Sequence, residues 1–171
     1  DGLKSGVQGW YAPGAGTHRT PYGGRNFEYY SEDGFLSGKI CAAEVRGAQS
    51  KGMYVYLKHL VLNDQEDRRY GIATFCQEQV LRELYMTPFE ICVKEADAHG
   101  MMAAFDSIGG IWCGANEDLL EDVLRGEWGF RGIVVTDYAT ANGGYMWIDM
   151  GLQNGGDLWL KNTIETRELT A

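Results

Sequence analysis

Apolar residues along the chain fall into short unbroken runs, separated by stretches in which they recur every three to four positions. The longest run, Met53-Tyr54-Val55-Tyr56-Leu57-Lys58-His59-Leu60-Val61-Leu62, is rich in β-formers and interrupted only by Lys58 and His59. Such a run suits a strand buried on both faces of a parallel sheet. Gly100-Met101-Met102-Ala103-Ala104-Phe105 and Gly132-Ile133-Val134-Val135-Thr136-Asp137 predict two more strands of this kind. Gly9-Trp10-Tyr11-Ala12-Pro13 reads as a shorter strand running into a glycine-rich loop, and Asp157-Leu158-Trp159-Leu160 as the last strand.

The intervening stretches predict helices. One starts with Ser31 as its N-cap and Glu32 and Asp33 in an acidic first turn. It carries Leu36, Ile40, Ala43 and Gly47 on one face, and Gly52 stops it. Residues 77–96 form a second, with Val80, Leu81, Leu84 and Tyr85 aligned and a break or kink expected at Pro88. Asn116 caps a third, whose apolar face is Leu119, Leu120, Val123 and Leu124 and which ends at Gly126. A weak helix over 145–152 leads to the last strand. Strands and helices alternate throughout, the signature of an α/β fold with parallel strands.

Five β/α units fit either an open doubly wound sheet or a piece of an eight-stranded barrel, which typically needs about 250 residues. No GxGxxG or GxxxxGK[ST] stands at a strand-to-helix turn, so nucleotide-binding sheets lose support. The chemistry-bearing residues cluster after strands, where barrels carry their chemistry. Arg25 follows the first run, Lys58 and His59 lie late in the second, and Phe105-Asp106 and Asp137 end the next two. The expectation is a partial (β/α) barrel of about five units, with parallel strands and a single domain over residues 1–171.

The chain of 171 residues is 44% hydrophobic and 12% aromatic, enough for one packed core. A net charge of −9 and the absence of a basic stripe argue against a nucleic-acid partner. No run of about 18 apolar residues predicts a membrane span. Cys41, Cys76, Cys92 and Cys113 form no CxxC pair, so a zinc knuckle is not expected. Their spacing fits reduced, buried thiols of a cytoplasmic protein, with two disulfides as the alternative. The start at Asp1-Gly2-Leu3-Lys4 carries no methionine and reads as the interior of an element, so an extracellular location stays open.

Each candidate residue also has a plain structural reading. An aspartate after an apolar run, such as Asp137, commonly caps a turn or helix. Lys58 needs an acceptor, because an unpaired buried ammonium is costly, and a salt bridge would supply one. Arg25 has Glu28 and Asp33 within its own loop, and His59 fits as a satisfied core histidine. A metal-dependent hydrolase using His18, His59, His99 and Asp137 is a rival class, although no HxH pair follows a strand and His99 precedes its strand.

Taken in order, several stretches resemble glycoside hydrolase family 3, on its β-glucosidase branch. They are His18-Arg19-Thr20-Pro21, the loop from Gly23 to Asp33, Lys58-His59, Leu81-Arg82-Glu83-Leu84-Tyr85 with Pro88-Phe89-Glu90, residues 122–130 from Asp122 to Phe130, and residues 132–138 from Gly132 to Tyr138. The resemblance spans residues 9–160 and rests on the order and spacing of these stretches together.

It implies specific roles. Arg25, Lys58 and His59 would bind hydroxyls of a terminal sugar, with Phe105 and Tyr138 completing the subsite, and Asp137 would be the catalytic nucleophile of a retaining β-glucosidase. No metal or cofactor is implied. Phe105 stands where the family often has tyrosine, and Tyr138 where it often has tryptophan, so a hydroxyl is lost and the aromatic platform is smaller. Leu60-Val61-Leu62-Asn63 follows Lys58-His59 in place of the Pro-Gly-His-Gly run of the N-acetylhexosaminidase branch. On the β-glucosidase branch a glutamate from a second domain is the acid/base, and no position here matches it. The chain is therefore expected to be a fragment of a larger protein, covering about the last five β/α units of the family's barrel. Its partners would be a β-linked glucoside or oligosaccharide, the missing barrel strands and the acid/base domain, with homodimerisation through exposed edges also expected. A non-catalytic sugar-binding or assembly fragment is the alternative.

Overall fold

The computed structural model describes residues 1–139 and 145–160. In chain order its elements are β1 (Gly9–Trp10), α1 (Gly34–Gln49), β2 (Tyr54–Val55), β3 (Leu57–Leu60), β4 (Ala73–Thr74), α2 (Glu78–Val80), a π-helical segment (Leu81–Met86), α3 (Thr87–Ala96), β5 (Gly100–Ala103), β6 (Ser107–Ile108), β7 (Ile111–Trp112), a second π-helical segment (Asp118–Glu127), β8 (Ile133–Tyr138), α4 (Ile148–Gln153) and β9 (Leu158–Leu160).

The five expected strand runs lie side by side in the order in which the chain makes them. β1 pairs in parallel with β2. After Tyr56 the same strand continues as β3, and β3, β5, β8 and β9 form one parallel sheet in that order. A bridge between Gly14 and Lys58 keeps the first strand's continuation beside β3. No strand in the series doubles back, so the doubly wound alternative, with its reversal of strand order, is excluded among the described residues. The arrangement is that of successive units of a (β/α) barrel.

Helices cover the sheet, each burying one face against it or against a neighbouring helix. The Asp118–Glu127 segment buries Leu119, Leu120, Val123 and Leu124, the expected face. Asn116 caps it, its Oδ1 accepting from Leu119 N at 3.1 Å. α1 departs from expectation twice. Its cap is Asp33, whose carboxylate accepts from the N–H groups of Phe35 and Leu36, while Ser31 Oγ accepts from Asp33 N. Its buried face is Gly34, Ser37, Gly38, Cys41, Ala42 and Val45, and Leu36 and Ile40 are exposed. Small residues win because α1 lies close against α3: a Cβ on Gly38 would stand 2.7 Å from Ile91 Cδ1 and 3.0 Å from Pro88 Cα.

Pro88 does not break its helix. The helical run is continuous from Glu78 to Ala96, and Pro88 stands just after its Leu81–Met86 π-turn, where the hydrogen-bond ladder changes register. β4, β6 and β7 form a small sheet that was not expected. Of the cysteines, Cys41, Cys92 and Cys113 are buried as predicted, but Cys76 is exposed because it lies in the excursion after β4; all four thiols are free. The main core joins Val55, Leu57 and Leu60, Met101 and Val134 of the sheet to Val45, Phe89, Leu120 and Leu124 of the helices. No helix among the described residues is long and apolar enough to cross a membrane.

Candidate active site

The C-terminal ends of the parallel strands bring together side chains that the sequence scatters. Asp137 is the penultimate residue of β8, and Lys58 and His59 lie in β3. Arg25 sits in the loop that follows β1, and Phe105 stands just beyond β5. β5 lies between β3 and β8, yet His59 Nε2 is 3.3 Å from Asp137 Oδ2 across the strand ends. Four of the expected site residues, Arg25, Lys58, His59 and Asp137, thus share one electrostatic neighbourhood.

The cations are held by carboxylates. Glu28 receives the Arg25 guanidinium at Oε1 and Lys58 Nζ at Oε2, the latter at 3.1 Å. The salt-bridge reading of Lys58 and the loop-internal reading of Arg25 are therefore both realised in this state, on the same glutamate. Glu66 accepts from Asn63 Nδ2 at 2.6 Å and from Arg69 Nη1 at 2.7 Å, with Arg25 at 3.9 Å. Two glycines let this loop close. A Cβ on Gly24 would meet Glu66 Cγ at 2.6 Å, and one on Gly16 would enter the Tyr29 ring at 2.5 Å.

His59 is buried and satisfied. Its Nδ1 is 3.0 Å from the Tyr29 hydroxyl. Burial holds His59 well below the usual histidine range, and the positive charges of Arg25, Lys58 and Arg69 push it further down. The imidazole is neutral. Burial raises Tyr29, so its hydroxyl keeps its proton and is able to donate to Nδ1, a pairing that puts the ring proton on Nε2; the reverse pairing puts it on Nδ1.

Asp137 feels opposing influences. Burial raises its carboxyl above the ordinary aspartate value, and the Tyr138 N–H, donating to Oδ1 at 2.7 Å, together with the fields of Arg69, Arg25 and Lys58, offsets only part of that rise. Its Oδ2 has no aligned hydrogen-bond donor among the described residues, the His59 contact being close but off line.

The remaining expected residues sit differently. Phe105 is 1% exposed, edge-on to Tyr70 at 5.1 Å and capped by the Arg69 guanidinium 4.3 Å above its ring. It is a wall behind the cations, with no open face. Tyr138 is 45% exposed at the end of β8 and offers its ring to solvent. The metal reading has no geometric support: His18 Nε2 contacts Tyr29 O at 2.6 Å, and His99, just before β5, lies at the opposite end of the strands from Asp137.

One site residue escaped the sequence reading, and another was noted only as a strand-end acid. Arg69 joins the site from the long loop after β3, and the spacing Asn63-x-x-Glu66-x-x-Arg69 was its signal, since those three side chains bond in series. Asp106 is buried with Oδ2 unpartnered among the described residues. Burial pushes it up to about 8, and Asp64 and Glu66 act in the same direction against Arg69.

Comparison with known proteins bears on this constellation. The model of the family described as "Glycosyl hydrolase family 3 N terminal domain" matches residues 2–158. Beta-glucosidase B of Emericella nidulans is 44% identical over 131 residues, which are 77% of this chain and 16% of that protein. Thermostable beta-glucosidase B of Acetivibrio thermocellus is 42% identical over 140 residues, 82% of this chain and 18% of that protein. Beta-glucosidase 3B from Thermotoga neapolitana, solved in complex with α-D-glucose, superposes with a TM-score of 0.86 at 41% identity, covering 93% of this chain and 22% of that one. A Kluyveromyces marxianus beta-glucosidase gives 0.90 at 32% identity, covering 98% and 20%. The chain thus spans about a sixth to a fifth of the length of these relatives.

Proposed function

The chain belongs to glycosyl hydrolase family 3, and from that premise we propose that its parent protein is a retaining β-glucosidase with Asp137 as nucleophile. The observation that carries this reading is the Asp137 carboxylate at the end of β8, with Oδ2 unpaired, beside neutral His59 and within the fields of Arg25, Lys58 and Arg69. Relatives named beta-glucosidases support the substrate class, a terminal β-linked glucose.

The chemistry follows from the donor set. A sugar hydroxyl near an ammonium or guanidinium gains charge-assisted hydrogen bonds that neutral donors do not match. Arg25, Lys58 and Arg69 supply such donors, His59 adds a neutral imidazole, and Tyr138 offers a ring face to the pyranose. Asp137 attacks the anomeric carbon; a carbon–oxygen bond to the enzyme forms as the bond to the aglycone breaks. A protonated acid outside this chain gives its proton to the leaving oxygen. Water then cleaves the glycosyl-enzyme ester with a second inversion, so configuration is retained. Residues 1–171 therefore contribute the sugar-binding half of the site and the nucleophile, as one piece of the barrel domain.

Hydrolysis of an aryl β-glucoside by the parent protein tests the reading, with the Asp137→Asn variant beside it. The amide is nearly isosteric but cannot form the ester. Turnover should fall by about four to six orders of magnitude while glucose binding persists. An Asn variant with near-normal turnover, free of deamidation, would place the nucleophile elsewhere.

A further inference from the structure

Glu28 has no part in the chemistry above, yet its position is tightly built. Glu28 N and Tyr29 N both donate to Arg25 O, at 3.1 and 3.2 Å, which turns the Glu28 side chain back toward the arginine of its own loop. The stem lies against Gly14, where a Cβ would stand 3.2 Å from Glu28 Cγ and 3.0 Å from the Tyr29 ring. Gly14 is also the residue bridged in parallel to Lys58. A glycine at the strand end thus lets one carboxylate reach a cation from its loop and a cation from β3 at once. The Arg25, Lys58 and Glu28 side chains are 17%, 15% and 18% exposed, so these contacts are only partly screened by water.

Asp137 presents the opposite picture. Arg25 and Lys58 both act on it electrostatically, yet neither contacts it, and its Oδ2 has no aligned donor among the described residues. The two cations are engaged by Glu28 instead. We propose that Glu28 is a positioning residue that holds Arg25 and Lys58 off the Asp137 carboxylate, so that Oδ2 stays unpaired and able to attack. This rests on Asp137 as the nucleophile. A carboxylate oxygen bonded to an ammonium or guanidinium must give up a charge-assisted bond before it can form one to carbon. Glu28 is the competing anion that prevents this. It also sets the spacing of two donors that a sugar would bridge.

Glu28→Gln in the parent protein tests the proposal. The amide accepts from one cation through its oxygen and turns an NH2 toward the other, releasing it toward Asp137, the nearby anion with an unpaired oxygen. The turnover number should fall by about 10- to 100-fold, the scale of a displaced site group. The acid limb of kcat/KM should move to lower pH, because an ion-paired carboxylate protonates less readily. Glu28→Asp keeps the charge and should return the limb toward the wild-type position. A purely structural role would lower the melting temperature without moving the limb. A limb that stays in place or moves to higher pH in the Gln variant overturns the proposal. If the wild-type parent does not hydrolyse aryl β-glucosides, the glycosidase reading fails by itself. Isotope-edited infrared titration of the Asp137 carboxylate then still reads the contact: a lower midpoint in the Gln variant supports it, and an unchanged midpoint overturns it.

Discussion

Asp137, near the end of β8, and Asp106, just beyond β5, belong to neighbouring strands of one sheet; burial raises both, and Asp106 the further. Asp137 has three cations within reach; Asp106 has Asp64 and Glu66 against it, with its own backbone N–H and the single cation Arg69 in its favour. Burial and these acids push Asp106 from its ordinary 3.8 up to about 8. In that interval the folded protein binds a proton that the unfolded chain does not. Stability therefore falls as pH rises from about 4 to about 8, by at most about 1.4 kcal/mol per unit, and levels off above. Asp106→Asn removes this titration. The variant should match the wild type in melting temperature near pH 4 and gain an increasing advantage up to pH 8. Parallel curves across that range would mean that Asp106 is ionised in the fold. Asp64, raised to about 6, adds a slope of the same sign below that value in both proteins. At this scale the convergence of Lys58, His59 and Asp137 was legible because they lie late in or at the end of apolar runs, and that of Arg25 because its loop follows one. Asp106 was noted only as a strand-end acid, since nothing in its own sequence window shows the company of Asp64 and Glu66. Arg69 was hidden because its loop gives no periodicity and its role depends on Asn63 and Glu66 folding back.

Among elements, the strand runs were read correctly because both faces of a central parallel strand are buried, as all four residues of β5 are. The face of α1 was read wrongly because hydrophobicity alone favours Leu36 and Ile40, while close helix contact favours glycine and alanine. Gly38→Ala should accordingly cost about 1–3 kcal/mol by overpacking against Ile91 and Pro88. Gly47→Ala, with nothing within 4 Å, should be neutral or stabilise by up to about 1 kcal/mol. Denaturant midpoints of the two variants check the pair, and equal effects would contradict the packing described for α1 and α3. The β6–β7 hairpin was missed because two-residue strands carry no alternation, although Gly109-Gly110 between Ile108 and Ile111 is a two-residue hairpin signal.

For the molecule as a whole, β1 and β9 are the outer strands of the series among the described residues. Trp10, Tyr11, Leu36, Ile40 and Tyr54 are exposed on or near β1, β2 and α1. Unpaired edges beside apolar surface favour association. The chain on its own should therefore self-associate, and light scattering should give a molar mass above 19.0 kDa; a strict monomer would show that these surfaces are tolerated in water. The same piece should turn over aryl β-glucosides negligibly, because a retaining site needs a second carboxyl about 5–5.5 Å from the first. We propose that this piece brings the nucleophile to its parent. Treating the parent protein with an activated 2-deoxy-2-fluoro-glucoside, which forms the glycosyl-enzyme and slows its hydrolysis, and then mapping the adduct by mass spectrometry, tests it directly. The sugar should be found esterified to Asp137, and an adduct on any other residue would contradict the account.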